Sequence, residues 1–151
     1  MGMGYDFICK KCGHWYNIHL GSGTMFYKVY QSCIRDIQAG KYGEEWKALA
    51  LSHEHIAVDA ETYLYICESC GNWKTDMDLS LYEPKEPDKI QNEKYFMLWK
   101  LEKYCSLLKP YVHKCDKCGE IMHKFNEEQV SSLSCPKCGT ENEIAGVIYW
   151  D

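Results

Sequence analysis

The chain has 151 residues and a formal net charge of −5, a size that suits one domain or two small ones. Hydrophobic residues make up 46% of it, yet no apolar run approaches the ~18 residues of a membrane span, so a soluble protein that does not enter the membrane is expected. The acidic balance does not draw nucleic acid over long range, and the start of the chain, Met1 to Asp6, shows no basic region leading into an apolar one, so a reducing cytoplasm is the expected setting.

From the N-terminus, the first marked feature is Cys9-Lys10-Lys11-Cys12-Gly13. Gly21-Ser22-Gly23-Thr24 then offers a turn and a helix cap. Phe26, Tyr30, Cys33 and Ile37 follow at steps of four, three and four, which is one face of a helix, and Gly40 is its stop. A second short helix is predicted from Glu44 to about Leu51, with Trp46, Leu49 and Ala50 inward. Residues 56–60 and 63–66 read as the two strands of a hairpin, the second delivering the chain to Cys67-Glu68-Ser69-Cys70-Gly71. Ser80 to Asp88, with two prolines among alternating charges, is the predicted boundary. A helix is predicted from about Ile90 to Leu108, ended by Pro110. Tyr111 to Lys114 is predicted as a strand entering Cys115-Asp116-Lys117-Cys118-Gly119, and Ile121 to Phe125 as the strand leaving it. Cys135-Pro136-Lys137-Cys138-Gly139 then precedes residues 143–150, which are rich in β-formers and predicted as a closing strand.

Eight of the ten cysteines therefore sit in four Cys-x-x-Cys-Gly knuckles. Two intervening residues let a tight turn aim both sulfurs at one point, and the glycine admits positive φ. Two knuckles supply four thiolates, the donor set of a tetrahedral Zn²⁺ site. Two Zn²⁺ per chain are expected, held by Cys9, Cys12, Cys67 and Cys70 and by Cys115, Cys118, Cys135 and Cys138. Binding them would take the formal charge from −5 to about −9. Only 16 residues separate Cys118 from Cys135, whereas 54 separate Cys12 from Cys67. The second spacing makes room for an inserted helical element. Pairing of non-neighbouring knuckles, as in cross-braced zinc domains, is the alternative grouping.

The segment from Cys115 to Gly139 resembles the zinc-ribbon and rubredoxin-like knuckle group, and Cys135-Pro136-Lys137-Cys138-Gly139 has the Cys-Pro-x-Cys-Gly form common in both. The resemblance covers about 25 residues closely in the second half and only the knuckles in the first. It implies a fold and a metal site, with zinc ahead of iron, and no particular activity. The expected fold is α+β, with two small antiparallel zinc ribbons in tandem. The first, residues 1–83, is interrupted at about 22–52 by helices. A linker and bridging helix take 84–110, and the second ribbon takes 111–151.

A closed four-thiolate site leaves no position to activate water, so zinc catalysis is not expected. Thiol redox catalysis would need a thioredoxin-like βαβ context, which is absent from the pattern. Cys33 and Cys105 read as packed thiols. His53-Glu54-His55 with Asp59 or Glu61 is a candidate further metal group, weighed against solvated loop histidines. Gly21 to Thr24 lacks the full phosphate-loop pattern. Lys10, Lys11, Lys114, Lys117, Lys124 and Lys137 suit solvated balancing of thiolate charge better than phosphate contacts. Trp15, Tyr16, Trp73, Tyr149 and Trp150 flank knuckles or the closing strand, and an exposed subset would form a protein-binding patch. The expected function is non-enzymatic: a cytoplasmic zinc-binding module for a protein partner. Nucleic-acid binding and rubredoxin-like electron transfer are the alternatives.

Overall fold

The computed structural model describes residues 2–90, 100–141 and 143–150. The fold mixes helices with small antiparallel sheets. It divides into two units. The first comprises Met1–Thr24, Glu61–Met77 and Val112–Asp151, and the second Met25–Ala60 and Asp78–Tyr111.

The first unit contains two three-stranded sheets of like design. β1 (Gly2–Ile8) and β2 (Trp15–Leu20) form a hairpin whose turn is the first knuckle. Met3, Tyr5 and Phe7 alternate along β1, and Tyr16, Ile18 and Leu20 along β2. The period of two puts both sets on one face. Across the sheet, β9 (Glu143–Trp150) pairs with β1, giving the order β2-β1-β9. Its register shifts between Asp6 and Phe7, which leaves Ala145 as a bulge residue. The second sheet repeats the scheme with β4 (Thr62–Ile66), the second knuckle, β5 (Trp73–Met77) and the two-residue β8 (His123–Lys124), in the order β5-β4-β8. A 3₁₀ turn at Glu127–Ser132 lies between the third and fourth knuckles.

One apolar cluster joins the two sheets. Phe7, Ile18 and Leu20 from the first meet Leu64 from the second, with Val130 of the 3₁₀ segment and Leu133 just after it. The other face of β4 turns Tyr65 into a smaller cluster with Met122, Cys67 and Cys115. β4 is thus apolar on both faces, and burying a side chain such as Leu64 stabilises by about 1.5–3 kcal/mol.

The second unit carries α1 (Phe26–Gln38), α2 (Glu44–Leu51) and a sheet of order β3-β6-β7, from β3 (Ala57–Val58), β6 (Leu81–Pro84) and β7 (Cys105–Lys109). Short helices α3 (Pro87–Ile90) and α4 (Leu101–Tyr104) lie between the last two strands. Phe26, Cys33 and Ile37 are buried along α1, as the spacing predicts, and Trp46 and Ala50 along α2. The Trp46 indole N–H donates to the Leu79 carbonyl at 2.9 Å. Leu79 is the one described non-glycine residue with positive φ, at 66°.

Several predicted elements are corrected. Residues 56–60 and 63–66 are not one hairpin: β3 pairs with β6 in the second unit, while β4 pairs with β5 and β8 in the first. The Asp59-Ala60-Glu61 step carries the chain from one unit to the other, so these strands find partners elsewhere. The boundary at Ser80–Asp88 contains β6, which tolerates Pro84 near a strand end. Of the helix expected over 90–108, residues 91–99 lie outside the described ones. Only Leu101–Tyr104 is helical beyond them, and Cys105–Lys109 is a strand paired with β6. Met25, not Thr24, occupies the N-cap of α1, without a side-chain hydrogen bond. The strands around the third knuckle shrink to β8 and a single Lys114–Ile121 bridge. β1, β2 and β5 stand where no strand is predicted from the sequence.

Candidate metal centres

All four knuckles fold alike. The first cysteine's N–H donates to the carbonyl of the residue after the glycine: Cys9 to His14, Cys67 to Asn72, Cys115 to Glu120 and Cys135 to Thr140, at 2.7–2.9 Å. The glycine N–H returns to the first cysteine's carbonyl, at 2.8–2.9 Å in each case. Turning the chain back so that the carbonyl after the glycine meets the first cysteine's N–H needs positive φ, and Gly13, Gly71, Gly119 and Gly139 have φ of 69°, 74°, 76° and 75°. A Cβ on any of them would meet open space, so glycine is required for its backbone and not for room.

The sulfurs gather in two groups of four, each with its ligand atoms all within 4.8 Å of one another. One is Cys9, Cys12, Cys135 and Cys138, and the other is Cys67, Cys70, Cys115 and Cys118. This corrects the expected grouping of first knuckle with second and third with fourth. The observed pairing is nested: first with fourth, enclosing second with third. The third strand of each sheet decides it. Antiparallel pairing of β9 with β1 runs Ile8 against Glu143 and so brings the fourth knuckle to the first. Pairing of β8 with β4 runs Ile66 against His123 and brings the third to the second. The short spacing between Cys118 and Cys135 is taken up by β8 and the 3₁₀ turn, which link the two centres.

Within each group the sulfur separations fit a metal. Cys9–Cys138 and Cys12–Cys135 stand at 3.5 and 3.7 Å, Cys67–Cys118 and Cys70–Cys115 at 3.4 and 3.6 Å. Four sulfurs at ~2.3 Å from a tetrahedral ion lie ~3.8 Å apart. These groups could therefore each hold one ion. Cys9, Cys67, Cys115 and Cys135, the first cysteine of each knuckle, are buried, while the second cysteine is exposed or half-exposed.

Protons are unevenly bound in each group. The Cys118 N–H pulls the Cys115 thiol down to about 6, helped by the Lys117 N–H and by the Asn72 amide at 3.6 Å. The Thr140 hydroxyl, 3.4 Å away, and the Thr140 N–H lower Cys138 to about 6. The His14 N–H favours a Cys12 thiolate, but desolvation and the three neighbouring sulfurs outweigh it and raise that thiol to about 11. Cys118 likewise rises to about 12, because the Glu120 N–H is outweighed by Cys67, desolvation and the other sulfurs. Burial opposes a Cys135 thiolate, but the Cys138 and Lys137 N–H groups outweigh it and lower that thiol as well. Fixed hydrogen-bond donors thus favour a thiolate at Cys115 in one group and at Cys138 and Cys135 in the other, ready to recruit a cation that would deprotonate the rest. The sequence reading missed Asn72 and Thr140. Both directly follow the knuckle glycine, and that position is the signal that could have found them.

The other candidates stay apart. His53 Nδ1 lies 3.1 Å from the Leu49 carbonyl, and His55 is exposed beside Glu54. Neither joins a metal-ligating group among the described residues. Cys33 and Cys105 are buried, and burial pushes the Cys33 thiol up to about 12 and raises Cys105. His14 contributes its backbone carbonyl to the first knuckle while its ring stacks on Tyr16. A cavity of about 230 Å³ opens beside the knuckles, lined among others by Asn72, Trp73, Lys117, Ser134 and Lys137. No described helix is long and apolar enough to cross a membrane. No protein-family model matches the chain, and no curated protein and no solved structure matches it either.

Proposed function

We propose that the chain is a non-enzymatic, cytoplasmic zinc protein in which two closed Cys₄ centres act as structural staples for a protein-binding unit. The observation that carries this reading is the placement of the first cysteine of each knuckle in the interior, with Cys67 and Cys115 themselves part of an apolar cluster. Four sulfurs around each point leave no open position for substrate or water. Each sheet with its two knuckles then serves as a zinc ribbon, the two being nested along the chain. Zinc suits such a site because it asks for tetrahedral thiolates and brings no redox chemistry. The partner reading is supported by the exposed apolar side chains of the first unit, among them Trp15, Val147, Ile148 and Tyr149, on an acidic chain.

Elemental mass spectrometry on protein purified without added metal tests the metal assignment. About two zinc per chain and no visible colour is expected. Iron with sulfur-to-iron absorption would replace the reading with electron transfer. Nucleic-acid binding is the second reading, favoured by Lys117 and Lys137 beside Trp73 in one cavity. It requires binding of single-stranded oligonucleotide that weakens steeply with salt and is abolished by Lys117→Ala with Lys137→Ala.

A further inference from the structure

We propose that the free edge of β9 is a docking site for an extended apolar segment of a partner protein, flanked by lysine or arginine, that adds a fourth strand to the sheet β2-β1-β9. The inference rests on the protein-binding reading and gives it a place and a partner chemistry.

β9 pairs on one side with β1 and, among the described residues, with nothing on the other. Folded proteins usually blunt such an edge with shortness, lysine, proline or a bulge. The other edges here follow that practice or are covered. β3 and β8 have two residues each, β5 carries Lys74 and Asp76, and β7 ends in Lys109. β2 runs on into a Gly21–Thr62 bridge and lies against β4 and β5. β9 touches the 3₁₀ segment, and its Ile144 packs on the core cluster, whereas Val147, Ile148 and Tyr149 stay exposed. β9 is eight residues long, its bulge falls at Ala145 near its start, and Ile144 to Tyr149 includes no charge and no proline.

The side chains at this edge overhang the core. Val147 stands opposite Tyr5 and Tyr149 opposite Met3, so both share the face that carries Tyr5, Phe7, Ile18 and Leu20 inward. Yet Val147 is 50% exposed and Tyr149 67%. Ile148, on the opposite face, is 46% exposed across from Gly4, which has no side chain to cover it. A strand laid along β9 would gain main-chain hydrogen bonds and bury these three side chains against its own alternate residues.

Charge selects the partner. The three strands of this sheet carry Asp6 and Glu143 and no lysine or arginine, and Glu141 and Asp151 bracket β9 in sequence. The whole chain is at −5 before any thiolate charge is added. Cationic flanks on the incoming segment complement that field, while a second copy would bring the same net negative charge to the edge.

The test titrates the zinc-loaded full chain, labelled with ¹⁵N, with two synthetic peptides: acetyl-Lys-Val-Thr-Val-Thr-Val-Lys-amide and the same peptide with glutamate at both lysines. The lysine peptide should shift the amides of residues 144–150 with Kd below about 1 mM, the regime of a transient contact, and more weakly as salt rises. The glutamate peptide should bind at least about ten-fold more weakly. Val147→Lys and Tyr149→Lys, both at exposed positions, should each weaken the lysine peptide about ten-fold or more while metal content and the β1–β9 cross-strand NOEs are retained. The proposal is overturned by absence of shifts at millimolar peptide, by equal binding of both peptides, or by indifference to the two variants. Dilution-dependent shifts of β9 amides without peptide would overturn it in favour of a second copy. Shifts confined to another surface would overturn the edge assignment and leave the protein-binding reading standing, whereas iron in the purified protein would overturn that reading itself.

Discussion

At the residue scale, the knuckle glycines and the residues after them carry the clearest expectations. Gly71 has φ of 74° and open space around its missing Cβ. Gly71→Ala should therefore cost about 1–2 kcal/mol through backbone strain alone, and Gly71→Asn less, because asparagine tolerates this region. Denaturant unfolding of the metal-loaded protein measures both, and equal costs would mean that side-chain contact matters there. Thr140 makes a pH argument. Its hydroxyl is the leading cause that lowers Cys138 from 9.0 to about 6. A thiol that binds its proton less tightly when folded adds stability fully above pH 9, and the contribution is lost as pH falls through about 6. Thr140→Val should thus release metal from the Cys9/Cys12/Cys135/Cys138 centre on acidification at a pH roughly half a unit higher, since loss of such a hydrogen bond typically costs ten-fold or more in metal affinity. The other centre, where Asn72 and not Thr140 holds the sulfur, should keep its midpoint. The knuckles were legible in the sequence because a two-residue gap followed by glycine encodes a complete local turn. Asn72 and Thr140 were not, because their role depends on which way that turn faces the sulfurs.

Among the elements, β4 does the most to connect metal sites with core. Leu64 packs with Phe7, Ile18 and Leu20 on one face, and Tyr65 lies beside Cys67 and Cys115 on the other. Leu64→Ala should destabilise by about 2–5 kcal/mol and speed metal loss to a chelator from both centres. Ile37→Ala empties a buried site on α1 and should cost a similar amount, but with no change in chelator kinetics. The contrast is read by following release of the loaded metal with a metal-sensitive indicator alongside thermal unfolding; equal acceleration in both variants would mean that the two units do not melt separately. The helices were legible because Phe26, Cys33 and Ile37 keep a helical period over three turns and α2 follows a clear glycine punctuation. β7 was not, because Cys105 to Leu108 continues an apolar pattern that suits either a helix or a strand until β6 claims it by pairing.

For the whole molecule, the nesting of the two centres has thermodynamic content. The inner centre closes the 44 residues between Cys70 and Cys115, and the outer closes the 122 between Cys12 and Cys135. The longer loop costs about 1 kcal/mol more to close, roughly five-fold in affinity, and formation of the inner centre relieves part of that cost. Cys9→Ser should therefore leave the inner centre close to fully loaded, whereas Cys67→Ser should depress loading of both; elemental analysis of the two variants decides, and symmetrical losses would contradict the order. Sequence spacing pointed to neighbouring knuckles because it counts residues along the chain. The pairing is set by strands such as β9 and β1, which lie at opposite ends of the chain and whose partnership no local pattern announces.

The nested pairing itself is tested most directly by loading the protein with ¹¹³Cd and correlating each cadmium resonance with the cysteine β-protons to which it couples. Two resonances are expected, one coupled to Cys9, Cys12, Cys135 and Cys138 and the other to Cys67, Cys70, Cys115 and Cys118. A cadmium coupled to Cys9, Cys12, Cys67 and Cys70 together, or to any interleaved set, would contradict it.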